Sequence, residues 1–288
     1  MWHEAPGPIL VWASVLGVIG VFNLWLWRRV GASVTRDEGE MTPSERRYRH
    51  RQLLFAATFT IGCAFRSIWP RADVQRIVLH DTFLSSVALG RTVATFAEVA
   101  FMAQWALLLS DAGRLLRLRS VTMLAALLLP IIIVAEGWSW YAVLTTNFLG
   151  NIVEQSLWTG ASLLVIIAMG ILWLYHPPRR NYVGSALTLL GAYFVFMCAV
   201  DVPMYWYRRR ADEQAGRKYL TIREGWRDAS RRWVVTYSWD DWKEEIPWMT
   251  LYFSTGVWVS LSLVRAPRFD PMASERLSSN GQGKVSSS

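Results

Sequence analysis

Six ionisable side chains, Arg66, Arg91, Glu98, Glu136, Glu154 and Asp201, lie within or at the ends of long apolar runs. A charge at the centre of a bilayer costs roughly 2.5–3.5 kcal/mol even on the mildest scale. Such groups are expected to face one another or water. The chemistry open to them is ion pairing, proton binding or capture of a cationic ligand. Asn147, Asn151 and Glu154 follow at i, i+4 and i+7, which places them on one helical face. With Glu136 assigned to the interface, two arginines face three carboxylates, Glu98, Glu154 and Asp201. One carboxylate is then left for a proton or a positive ligand. The competing reading is structural: buried charges can neutralise one another and fix helix register.

Arg91 and Glu98 are seven residues apart and share a face, but the rise between them is about 10 Å. Each is therefore expected to find its partner on another helix. Ser86, Gly90 and Ala94 form a small-residue stripe beside them, of the kind that lets helices approach closely.

Several chemistries lack their residues. A retinal Schiff base needs an intramembrane lysine, whereas Lys218, Lys243 and Lys284 all lie outside the apolar runs. His3, His50, His80 and His176 are scattered, which disfavours zinc hydrolysis and bis-His haem. Cys63 and Cys198 sit singly in apolar runs, and no phosphate loop or nucleophile elbow is present. No catalytic residue, metal ligand set or cofactor is expected. The acidic run at Asp240, Asp241, Glu244 and Glu245 could hold Mg²⁺ against a diphosphate, but it reads more simply as the acidic start of a helix. Arg71, Asp73, Arg76, His80 and Asp81 are expected to form a tight polar turn.

Seven apolar runs must position these groups: 9–27, 53–69, 77–110, 121–140, 143–175, 183–206 and 246–264. A span needs about 20 apolar residues. The expected fold is all-α, a polytopic membrane bundle of seven transmembrane helices. Residues 1–265 form one membrane domain and 266–288 a polar disordered tail. Pro130 and Pro203 predict bends. The N-terminus lacks the basic region of a cleaved signal, so the first helix is retained. Basic residues follow that helix, at Arg28 and Arg29, which predicts N-terminus outside and C-terminus inside. The loop 207–245, with ten Lys and Arg, runs against this rule.

That loop carries Tyr219, Ile222, Trp226, Ala229 and Trp233 at helical spacing among arginines, as in a helix lying in a membrane interface. Trp226, Trp233, Trp239 and Trp242 are the expected interfacial anchors. The net charge of +8 follows from basic residues flanking the spans, so no nucleic-acid partner is expected. The expected partners are the bilayer and a small molecule, proton or cation. With the topology above, Arg66, Arg91, Glu136, Glu154 and Asp201 fall at mid-depth or in the outer half, and Glu98 is deeper. The sequence thus suggests a receptor- or transporter-like bundle of the plasma membrane with a polar cavity including Asn151. Its alternatives are an intramembrane enzyme acting on a lipid and a structural subunit whose charges only pair.

Overall fold

The computed structural model describes residues 7–269. The expected readings of His3, of the extreme N-terminus and of the tail from 270 onward lie outside them. The described chain is mostly helical, with three short strands. Helix α1 (Gly7–Asp37) is followed by α2 (Pro43–Ile68), the strands β1 (Arg71–Ala72) and β2 (Ile77–Val78), and then α3 (Val87–Leu115), α4 (Arg119–Thr145) and α5 (Leu149–Tyr175). Helix α6 (Arg180–Phe196) runs through a π-helical turn, Met197–Asp201, into α7 (Val202–Gln214). After these come α8 (Ile222–Arg231), β3 (Val234–Val235) and the single turn α9 (Trp239–Trp242). The last long helix is α10 (Ile246–Leu251), a second π-helical turn at Tyr252–Gly256, and α11 (Val257–Arg265).

Five stretches are long and apolar enough to cross a membrane: 7–40, 87–115, 119–145, 149–175 and 177–214. They fit a membrane protein. Two of the seven expected spans fall short of that measure for identifiable reasons. The first half of α2 carries Arg46, Arg47, Arg49 and Arg51, which leaves a short apolar half. In α10–α11, Trp, Tyr, Ser and Thr dilute the aliphatic residues. Both nevertheless pack into the bundle. Helix α2 lies against α1, α3 and α11, and Phe59 of α2 stacks on Phe101 of α3 at 4.6 Å.

The expected boundaries around α3, α4 and α5 shift. The run 77–110 is not one helix, because residues 77–86 form β2 and a turn before α3. Asp81, Thr82, Ser85 and Ser86 supply the turn chemistry that delays the helix. Helix α4 extends five residues past 140, so only 146–148 separate it from α5. Thr146 makes that reversal in the left-handed region, at φ 58°. Arg91 therefore lies in the second turn of α3, not near mid-helix, and Glu136 lies well inside α4.

The strands form a sheet that the helical reading did not include. Strand β2 pairs antiparallel with β1 and parallel with β3, in the register Ile77 with Val234 and Val78 with Val235. Strands of two residues are too short to show a period in sequence. Arg76 turns the hairpin at φ 60°, a strained value for a residue with a side chain. Its guanidinium offsets that strain. Nε reaches Asp228 at 2.7 Å, NH2 donates to the Val143 carbonyl at 2.6 Å, and NH1 donates to the Asp73 carbonyl. The expected polar turn is thus a clamp that joins the hairpin to α8 and α4.

Arg71 is a second clamp. It donates from NH1 to the Ser86 carbonyl at 2.6 Å, and its guanidinium lies where a Cβ on Gly90 would be. The small-residue stripe on α3 therefore admits a side chain rather than a helix at this level. Burial pushes the Arg71 guanidinium down to about 10, while Asp73 acts in the opposite sense, so it stays charged at neutral pH.

Candidate functional site: three carboxylates around Arg91

Glu98 on α3, Glu136 on α4 and Glu154 on α5 converge on Arg91. Its NH2 lies 2.9 Å from Glu136 and 3.0 Å from Glu98, and its NH1 lies 3.6 Å from Glu154. All four side chains are at most 9% exposed. Arg91 and Glu98 pair within one helix, contrary to the expectation drawn from a rise of about 10 Å. The physical reason is reach: two long side chains on one face lean toward each other along the helix. One oxygen from each glutamate lies within 4.8 Å of the others, close enough for the three to share a small cation. No metal ligand set was expected from spacing, because the three carboxylates come from three helices.

The close packing of α3, α4 and α5 positions the group. Helix α4 has its largest interfaces with α5 and α3. The site lies in the half of these helices next to the sheet and α8. Arg91 and Glu154 are each in the second turn after their helix starts, and Glu136 is nine residues before α4 ends. Asn151 approaches the site only at its edge, donating to Glu154 at 3.3 Å. Asn147 acts locally, its side chain accepting from the Leu149 N–H at 2.9 Å as α5 begins.

The other expected members stand apart. Arg66 lies 3.7 Å from Asp73 and packs over the rings of Trp248 and Phe253, 5.8 Å from each centroid. It joins Asp73 and these rings rather than the carboxylates. Asp201 is buried at the π-helical turn, in electrostatic reach of Glu154 and also of Arg208 and Glu245. Pro203 has no N–H to give the carbonyl four residues earlier, and the wider π turn accommodates that loss just where Asp201 is placed.

Removing Arg66 from the cluster changes its charge count. Around Arg91 there are three carboxylates and one guanidinium, a surplus of two. Arg91 Nε and Glu136 Oε1 have no hydrogen-bond partner among the described residues.

Sequence reasoning missed three groups here. Thr95 donates to Glu136 at 2.6 Å, and Trp140 donates to Thr95 at 3.1 Å. Thr95 could have been found, since Arg91, Thr95 and Glu98 run i, i+4 and i+7 on one face. Tyr252 could not. It comes from the second π-helical turn, its buried hydroxyl has no hydrogen-bond partner among the described residues, and it feels the charge of Glu98 from another helix.

The expected tryptophan anchors divide. Trp226 and Trp239 are exposed. Trp233 donates to Asp81 at 2.9 Å. Trp242 is fully buried, donates to the Thr236 carbonyl and packs on Trp12 at 5.6 Å, so it is a core residue and not an anchor. The turn of α9 directs it inward, toward α1. In the expected helix of the loop, α8 buries Gly225 and Ala229, while Ile222 and Trp226 are exposed.

No protein-family model, curated protein or solved structure matches this chain.

Proposed function

We propose that this chain is a seven-span membrane protein, N-terminus outside, whose bundle loads and releases protons at Glu98, Glu136 and Glu154. In this reading α2 and α10–α11 complete the spans, and the protein works as a transporter- or receptor-like bundle rather than an enzyme. One observation carries it: a single guanidinium faces three buried carboxylates. An uncompensated buried charge costs several kcal/mol after relaxation. Two surplus negative charges are therefore balanced by protons, or by a cation that exchanges with them. The π-helical turns at Asp201 and Tyr252 support the same reading, since such turns recur at functional sites and both approach these carboxylates.

The test is infrared difference spectroscopy of the purified protein, titrated from about pH 9 to about pH 5. The expected result is a protonated-carboxyl band that grows across the titration. Glu98→Gln or Glu154→Gln should remove or shift it, and added Na⁺ or Ca²⁺ should compete with it if a cation exchanges. A spectrum with no titrating carboxyl band and no response to either cation would mean that the charges serve structure alone.

A further inference from the structure

We infer that α8, together with the outward faces of α3 and α4 beneath it, binds an anionic phospholipid, with the headgroup phosphate on Arg227 and Arg231. Arg223, Arg227 and Arg231 recur at i, i+4 and i+8 on α8 and are exposed. None of the three has an ion-pair partner among the described residues, whereas Arg76, Arg208, Arg217 and Arg232 nearby are each paired. Trp226, Arg227, Ser230 and Arg231 line an open groove of about 460 Å³. Forked guanidinium donors match phosphate oxygens, and two adjacent arginines supply the opposite charge.

Position argues for a lipid as the source of that phosphate. Trp226 lies against Trp140 of α4, with ring centroids 5.9 Å apart. Trp140 is seven residues beyond Ile133 on one face of α4, and Ile133 and Phe96 are both largely exposed. The Trp140–Trp226 contact thus brings α8 against two helices long enough to cross a membrane. Paired tryptophans at such a boundary mark the headgroup level. An acyl chain would lie on Phe96 and Ile133 while the phosphate meets the arginines.

The site is pre-built. Thr221 and Glu224 cap α8 reciprocally, and the Thr221 hydrogen bonds hold the Glu224 carboxylate below its usual range. Gly225 sits directly on the Leu144 carbonyl, where a Cβ would clash, and Asp228 is tied to Arg76.

Native mass spectrometry of the full chain, released from micelles containing phosphatidylglycerol and phosphatidylcholine, counts the lipids retained. Wild type should keep phosphatidylglycerol preferentially. Arg227→Gln with Arg231→Gln should weaken that retention roughly thirtyfold, taking about 1 kcal/mol for each arginine. Arg28→Gln with Arg29→Gln removes the same charge elsewhere and should leave retention unchanged. Equal retention of the two lipids by wild type would overturn the assignment. So would equal losses in the two double variants, or displacement of phosphatidylglycerol by inorganic phosphate alone.

Discussion

Removing Arg91 while keeping its three partners isolates the electrostatic part of the site. Arg91→Met keeps a long, flexible side chain and deletes the charge. Each close contact, at 2.9 or 3.0 Å, is worth about 5 kcal/mol of gross attraction at an effective dielectric of about 20. Desolvation of the guanidinium cancels much of that sum. Breaking a buried pair by removing one partner costs roughly 3–5 kcal/mol net, because the remaining charge stays uncompensated. With three carboxylates left behind, the upper end of that range is expected. At about 2–4 °C per kcal/mol for a chain of this size, the midpoint should fall by roughly 10–20 °C. The assay is thermal unfolding in one detergent at neutral pH, read by intrinsic tryptophan fluorescence. A second variant distinguishes charge from packing: Arg91→Met with Glu136→Gln should recover part of the loss, whereas Glu136→Gln alone should not stabilise. If Arg91→Met stays within about 1 kcal/mol of wild type, the three carboxylates do not depend on this arginine. If Glu136→Gln fails to rescue it, the loss is one of shape.

Two further outcomes are expected. Gly225→Ala should gain about 1 kcal/mol of helix propensity in α8, yet its Cβ would collide with the Leu144 carbonyl, so the net result should be detachment of α8; faster hydrogen exchange across 219–235 checks it, and slower exchange would reverse the assignment. Burial and Arg179 hold His176 below its usual pKa, and its ring packs on Phe269 at 5.5 Å. The folded state prefers the neutral ring, so its stabilisation is present above about pH 6.5 and is lost as pH falls; acid should loosen residues 266–269 in hydrogen exchange, and His176→Phe should abolish that pH dependence.

Hydropathy and length set the helical character of this chain, because a membrane's thickness imposes a length that runs of apolar residues either reach or miss. The polar outliers Arg91, Glu98, Glu136 and Glu154 were visible on the same grounds, since isolated charges in such runs are costly. Their order within the site was not. Whether Arg66 or Arg91 meets the carboxylates depends on helix rotation and on the β1–β2 hairpin, and tertiary packing turned Arg66 toward Asp73 and two aromatic rings. The sheet was hidden because two-residue strands have no detectable period, and its turn rests on bonds that Arg76 makes to residues far along the chain. Trp242 and Trp226 look alike in sequence, yet one is buried against α1 and the other exposed, because α9 folds back while α8 lies across the bundle end. Apolar runs and charge types are local properties that composition carries. Pairing among charges requires the distances between helices, which only the folded arrangement defines, and it raised the carboxylate surplus at Arg91 from one to two.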